Sequence, residues 1–242
     1  MDASDDALAG PVWAIVVAAG SGRRFGRPKQ YEPLGGRRVL DWSLDAARAG
    51  ADGVVLVLPA AEVPGPGPDA EAPEADAPEA DGTDGTGGAD LVVAGGDTRS
   101  GSVRAGLAAV PDGAAVVVVH DGARPLAGAP LFAAAVAAVR AGADAAIPVV
   151  PVTDTLRHRD GGPVPRDELV AVQTPQAFRA TTLRAVHAGA PEATDDASLV
   201  EAAGGKVVLV DGSPANLKIT HPVDLVVAEA LLDVRDREGG GR

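Results

Sequence analysis

Five short apolar runs, at 12–19, 54–58, 91–94, 115–120 (which ends in His120) and 145–150, are separated by stretches with helical spacing. Unbroken apolar runs of this length suit strands buried on both faces, as in parallel sheets, better than strands with one wet face. Between them, Leu40, Leu44 and Ala47 place a helix over 39–49, and Val103, Leu107 and Val110 place one over 102–110. The Ala-rich stretch 130–141 opens with Pro130, which favours the first turn of a helix. Further helices are expected at 181–188, 195–203 and 222–234, and a further strand at 206–210. Strands alternating with helices predict an α/β, Rossmann-like fold: a mostly parallel sheet with helices on both faces. The 242 residues, 46% of them hydrophobic, supply one such domain spanning 1–242. Only 2% are aromatic, so Ala, Val and Leu must build its core. Ligands of such sheets bind beyond the carboxyl ends of the strands. Chemistry is therefore expected in the loops after Ala19, Ala94 and His120.

Two segments break the pattern. Residues 62–90 are rich in Pro, Ala, Gly, Asp and Glu and contain no Lys or Arg. They have little apolar surface to bury and are expected to form a disordered acidic insertion. Residues 153–166 are polar, with a Gly-Gly-Pro turn, and predict a projecting β-arm. The charged, glycine-rich tail after Asp233 is expected to fray.

The formal net charge of −13 argues against nucleic acid and anionic lipid as partners. A site for a small anion must then gather positive charge locally. The chain has no cysteine, which excludes disulfides, thiolate ligands and a Cys nucleophile. His120, His158, His187 and His221 are scattered without zinc-ligand spacing, so no protein-held metal is expected. No apolar run is long enough to span a bilayer, and the acidic start lacks the basic region of a signal peptide. The expected location is the cytoplasm.

The first motif is Ala18-Ala19-Gly20-Ser21-Gly22-Arg23-Arg24-Phe25, followed by Pro28-Lys29-Gln30. Glycines let backbone N–H groups approach phosphate closely. Arg24 and Lys29 offer the cations that a phosphoryl transition state needs as charge grows on its oxygens. The motif is neither a Walker A loop nor a clean dinucleotide fingerprint. The second, His120-Asp121-Gly122-Ala123-Arg124-Pro125, follows a buried strand. Asp121 suits hydroxyls or a metal and Arg124 suits phosphate, or the two form a salt-bridged turn. In the third, Gly95-Gly96-Asp97-Thr98-Arg99-Ser100-Gly101-Ser102, Asp97 also reads as a helix N-cap. In the fourth, Asn216-Leu217-Lys218-Ile219-Thr220, Lys218 is a lone cation in an apolar, strand-like segment and calls for an anion.

Together with Thr-Pro-Gln at 174–176, Thr-Asp-Asp-Ala-Ser at 194–198 and the continuation to Asp224, these motifs run in order over 15–224. In that order they resemble the 2-C-methyl-D-erythritol 4-phosphate cytidylyltransferases. The resemblance implies transfer of CMP from CTP to the polyol phosphate, with release of pyrophosphate, in non-mevalonate isoprenoid synthesis. It implies that Ala19, Gly20, Gly22, Arg24 and Lys29 hold the CTP phosphates, with Lys218 reaching them from the other side. Ala18, Gly96, Asp97 and Ser102 would surround the cytosine, and Asp121 and Gly122 would lie by the ribose. Asp121, Arg124, Thr174 and Thr194 would serve the polyol phosphate, and Mg²⁺ would bridge the triphosphate oxygens. The arm would embrace a second subunit in a homodimer, with Thr155 and Arg166 completing the partner's site.

Three features depart from the family pattern: Val17 for a proline or leucine, Ala215 for an acid, and the long acidic insertion. A ribitol 5-phosphate cytidylyltransferase would share the first loop and the His-Asp-x-x-Arg-Pro motif. The segments 194–198 and 153–155 favour methylerythritol over it. A non-catalytic nucleotide-binding regulator would not need Arg24, Lys29 and Lys218 together.

Overall fold

The computed structural model describes residues 8–20, 22–63 and 86–239. In chain order the elements are strand Val12–Val17 (β1), the short pair Pro33–Leu34 (β2) and Arg37–Arg38 (β3), helix Val39–Gly50 (α1) and strands Gly53–Leu58 (β4) and Leu91–Ala94 (β5). Helix Arg99–Ala109 (α2), strand Val116–Asp121 (β6), helix Ala129–Arg140 (α3) and strand Ala145–Pro151 (β7) follow. Next come the hairpin Leu156–His158 (β8) and Gly161–Val164 (β9), strands Val170–Val172 (β10) and Gln176–Arg179 (β11), and helices Ala180–His187 (α4) and Ala197–Ala202 (α5). Strand Val207–Asp211 (β12) and helix Pro222–Gly239 (α6) complete the order.

β1 lies inside the eight-stranded sheet and pairs in parallel with both β4 and β6, so Ile15 stands between Val55 and Val119. β5 extends this parallel half beyond β4, and β12 runs parallel to β7. Side chains alternate across a strand. Val12, Ala14 and Val16 of β1 therefore meet Leu40 and Leu44 of α1 and Phe132 and Val139 of α3 on one face. Ile15, with Val55 and Val57 of β4, meets Val103 and Leu107 of α2 on the other, in a cluster shared with Leu183 of α4 and Val200 of α5. That two-faced burial is why the apolar runs are unbroken, and it bears out the α/β expectation.

The antiparallel part was not anticipated. β11 runs antiparallel to β6 and β7, and β10 antiparallel to β7. The stretch 170–179 is short and interrupted by Gln173, Thr174 and Pro175, so it carries no clear strand period. No crossover helix lies between β7 and β10; the chain turns back through the arm, and a direct return gives an antiparallel neighbour.

The arm is a hairpin, with Leu156 opposite Val164 and turn glycines Gly161 and Gly162 at φ +123° and +71°. The two ends of the 62–90 segment are built into the fold. Val54 N donates to Asp90 Oδ2 at 2.7 Å, Thr86 is buried, and Tyr31 donates its hydroxyl to Glu62. The remainder, 64–85, lies outside the described residues. The tail after Asp233 is helical through Gly239 rather than frayed. Leu232 is buried with Phe25, Leu34, Val39 and Ile219, and Arg235 stacks over the Trp42 ring at 5.0 Å. α6 thus clamps the loop that follows β1.

Candidate active site

Parallel pairing sets Val17 of β1 beside Asp121 of β6, so the loops leaving both strands open on the same edge of the sheet. With the turn after β5 they enclose a cleft of about 670 Å³. Ala18, Ala19, Gly20, Gly22, Arg24 and Lys29 line it from the first loop, and Gly96, Asp97, Arg99 and Ser102 from the turn into α2. Asp121, Gly122, Lys218 and Thr220 close it. Every residue expected to hold the nucleotide stands on this one surface.

Local geometry explains the glycines. Gly22 has φ +64°, and a Cβ there would lie 1.9 Å from the Arg27 carbonyl oxygen. Its own carbonyl accepts from Phe25 N and Gly26 N, both at 2.9 Å, which coils the loop back over the cleft. A Cβ on Gly95 would come within 2.4 Å of the Ala19 Cβ, so two walls of the cleft touch there. The N-cap of α2 is Thr98, whose hydroxyl accepts from Gly101 N at 2.9 Å. Asp97 is not the cap; its carboxylate is exposed in the cleft wall.

The charges are tightly arranged. Lys218 Nζ is 2.8 Å from Asp121 Oδ2, and Arg124 Nε is 3.5 Å from the same oxygen. Burial alone would raise the Asp121 pKa, but Lys218, Arg124 and Arg99 outweigh it and hold the carboxyl far below its usual range. Lys29 donates to the Ile219 carbonyl. Burial, and then the neighbouring Lys218, pull Lys29 down to about 8, against the opposing pull of Asp121. His120 is fully buried, which lowers it to about 4 and leaves it neutral near pH 7. Lys218 is therefore neither lone nor in a strand. It sits in an irregular segment and already has an acid as partner.

The model of the family IspD: 2-C-methyl-D-erythritol 4-phosphate cytidylyltransferase matches residues 12–234. The chain belongs to that family. It is 45% identical to the 2-C-methyl-D-erythritol 4-phosphate cytidylyltransferase of Rhodococcus opacus over 93% of this chain and 96% of the relative. It is 42% identical to that of Nocardia farcinica over 97% and 98%. The crystal structure of the Thermus thermophilus cytidylyltransferase superposes with a TM-score of 0.71 at 38% identity, over 90% of this chain and 98% of that one.

The residues expected in this cytidylyltransferase for the polyol phosphate are less gathered than those for the nucleotide. Arg124 stands behind Asp121, donating Nη1 to the Asn216 carbonyl at 2.7 Å and Nη2 to that of Val172 at 3.4 Å. Thr174 is buried; its hydroxyl accepts from Asp121 N at 3.0 Å and lies 3.1 Å from His120 Nδ1. Asn216 ties the same layer together by donating Nδ2 to the Thr174 carbonyl at 2.9 Å. Thr194 is exposed, and Thr155 and Arg166 are exposed on the arm, outside the cleft lining. Arg166 donates to the Thr153 carbonyl at 2.8 Å. The sequence reading gave no role to Arg99, Asn216 or Gln173. Arg99 was visible inside the third motif and Asn216 inside the fourth; Gln173 carried no signal, because its role is to join segments distant in sequence.

Among the described residues no group of three or more His, Cys, Asp or Glu could hold a metal ion. Mg²⁺ that arrives on a nucleotide keeps several waters and needs only one or two carboxylates from the protein. The cleft offers Asp97 and Asp121, which fits such an ion.

Proposed function

We propose that this chain transfers CMP from CTP to 2-C-methyl-D-erythritol 4-phosphate, giving 4-diphosphocytidyl-2-C-methyl-D-erythritol and pyrophosphate for isoprenoid synthesis. One observation carries the reading beyond family membership. Lys29 and Lys218 converge in the glycine-walled cleft closely enough that Lys218 disfavours the charge on Lys29, as does Arg24 beside them. A triphosphate relieves that repulsion.

In the reaction, an oxygen of the acceptor's phosphate attacks the α-phosphorus of CTP in line, and pyrophosphate leaves. A phosphate monoester is already largely ionised near neutral pH, so no general base is required. The chain's residues supply positioning and charge neutralisation. The 20–24 loop and Lys29 hold the triphosphate, Lys218 neutralises it from the opposite wall, and the backbone around Ala18 and Gly96 receives the base. Asp121 stays ionised and accepts hydroxyl hydrogen bonds. Mg²⁺, carried by the triphosphate with Asp97 and Asp121 at hand, would supply further neutralisation of the leaving group.

The same reading includes a homodimer in which the β8–β9 arm brings Thr155 and Arg166 to the partner's cleft. Its support is the arm's exposure and polarity and the place of both residues outside their own cleft. Both substrates are small soluble phosphates, so a cytoplasmic setting goes with it. Among the described residues no helix is long and apolar enough to cross a membrane.

The test is pyrophosphate release by the pure protein with CTP, Mg²⁺ and either methylerythritol phosphate or ribitol 5-phosphate. Release with the first acceptor supports the reading. Release with ribitol 5-phosphate alone would transfer the assignment to the rival cytidylyltransferase.

A further inference from the structure

Arg99 lines the cleft from the first turn of α2. Its Nη1 donates to Asp196 Oδ2 at 2.7 Å. None of its nitrogens is both buried and unpartnered, and the side chain is 26% exposed where it lines the cleft. Arg99 is also near enough to Asp121 for each to favour the other's charge. Asp196 is fully buried, and its other oxygen lies 3.0 Å from His187 Nε2. A carboxylate gripped on both sides makes a fixed anchor for the guanidinium.

The same turn of α2 is stitched to the segment that carries Thr194. Ser100 donates its hydroxyl to the Ala193 carbonyl at 3.2 Å, and Ala193 N donates back to the Ser100 hydroxyl at 3.1 Å. Thr194 therefore sits between two ties, one at Ala193 and one at Asp196. Arg124, the arginine expected to meet the acceptor, has its Nη1 and Nη2 committed to backbone carbonyls. Arg99 has donors to spare and stands between Asp121 and the Thr194 segment. A planar guanidinium with free N–H groups matches phosphate geometry, and one already held in place loses less freedom on binding.

We propose that Arg99 contacts the phosphate of the polyol acceptor, and that Asp196 is the positioning residue that holds Arg99 in the cleft. The proposal rests on the transferase reading above. It deepens that reading by assigning the acceptor side of the site to an arginine on α2.

The experiment is steady-state kinetics of the full chain with CTP, Mg²⁺ and methylerythritol phosphate, with melting temperatures measured alongside. Wild-type turnover comes first; its absence would overturn the transferase reading itself. Given that turnover, Arg99→Gln should raise KM for the polyol phosphate by about tenfold or more, the usual cost of one charge-assisted contact. KM for CTP should stay near its wild-type value, and Arg99→Lys should recover part of the loss. Asp196→Asn should move KM in the same direction, and the double variant should be no worse than Arg99→Gln alone, because Asp196 acts through Arg99. If Asp196→Asn fails to fold, the partly exposed Arg99 still decides the matter. A folded Arg99→Gln protein with unchanged KM for the polyol phosphate, or with only KM for CTP raised, would overturn the inference while leaving the transferase reading standing.

Discussion

Lys218 meets Asp121 at 2.8 Å inside the cleft, so the lysine proposed to neutralise a triphosphate is held by an acid before any substrate arrives. The pair fixes Lys218 on the wall of the cleft. It also ties the charge state of Lys29 to both neighbours, since Lys218 lowers and Asp121 raises it.

A pH dependence follows. Lys29 is lowered to about 8 in the free protein, so its charge is complete well below that pH and is lost as the pH rises through it. The ratio kcat/KM reports ionisations of the free enzyme. For CTP it should bend downward above pH about 8. Lys218→Met removes the cation that disfavours Lys29 and should move the bend upward; Asp121→Asn removes the supporting acid and should move it downward. Shifts in the opposite directions would contradict the electrostatic coupling.

Lys29→Ala and Lys218→Ala should each lower turnover about a hundredfold, the scale of one lost transition-state contact worth ~3 kcal/mol. Their stabilities should differ. Lys29 gives up one bond to a backbone carbonyl, whereas Lys218→Ala leaves the nearly buried Asp121 with less compensation. Thermal denaturation should show the larger loss for Lys218→Ala, on the order of 1–3 kcal/mol.

Gly22→Ala should spare the fold and damage nucleotide binding. The added Cβ would lie 1.9 Å from the Arg27 carbonyl oxygen at a backbone φ of +64°, so the loop must move. The measurement is KM for CTP, expected to rise about fivefold to a hundredfold for strain on the order of 1–3 kcal/mol. An unchanged KM would show that this loop does not shape the phosphate site.

The shared site can be tested by mixing. Arg166→Ala and Lys29→Ala proteins should each be nearly inactive. Random exchange puts half the chains' pairings into hybrids, each with one intact site, so activity should recover to about a quarter of normal. If Arg166 serves only its own subunit, as its bond to the Thr153 carbonyl would allow, the mixture stays at the average of the two variants with exchange verified.

The parallel half of the fold was readable because strands buried on both faces must be apolar throughout. Val116 to Val119 face helices on one side or the other, and all four are buried. β10 and β11 were not readable, because their pairing is set by the chain's return through the arm rather than by their own residues. The cleft wall proposed for the nucleotide was legible since glycines such as Gly22 and clustered cations are local signals. The contacts on the side proposed for the acceptor were not. Arg124 turns inward to Asn216, and Arg99 is aimed by Asp196, partners that are 92 and 97 residues away. Asp97 was open to two readings until Thr98 proved to be the cap.

The most direct test of the central claim is a ³¹P spectrum of the completed reaction of this protein with CTP, Mg²⁺ and methylerythritol phosphate. Attack by the acceptor's phosphate on the α-phosphorus predicts two coupled resonances of a diphosphate diester together with inorganic pyrophosphate, and loss of the phosphate monoester signal. CMP and pyrophosphate with the monoester signal intact would mean that water is the acceptor, and would contradict the account.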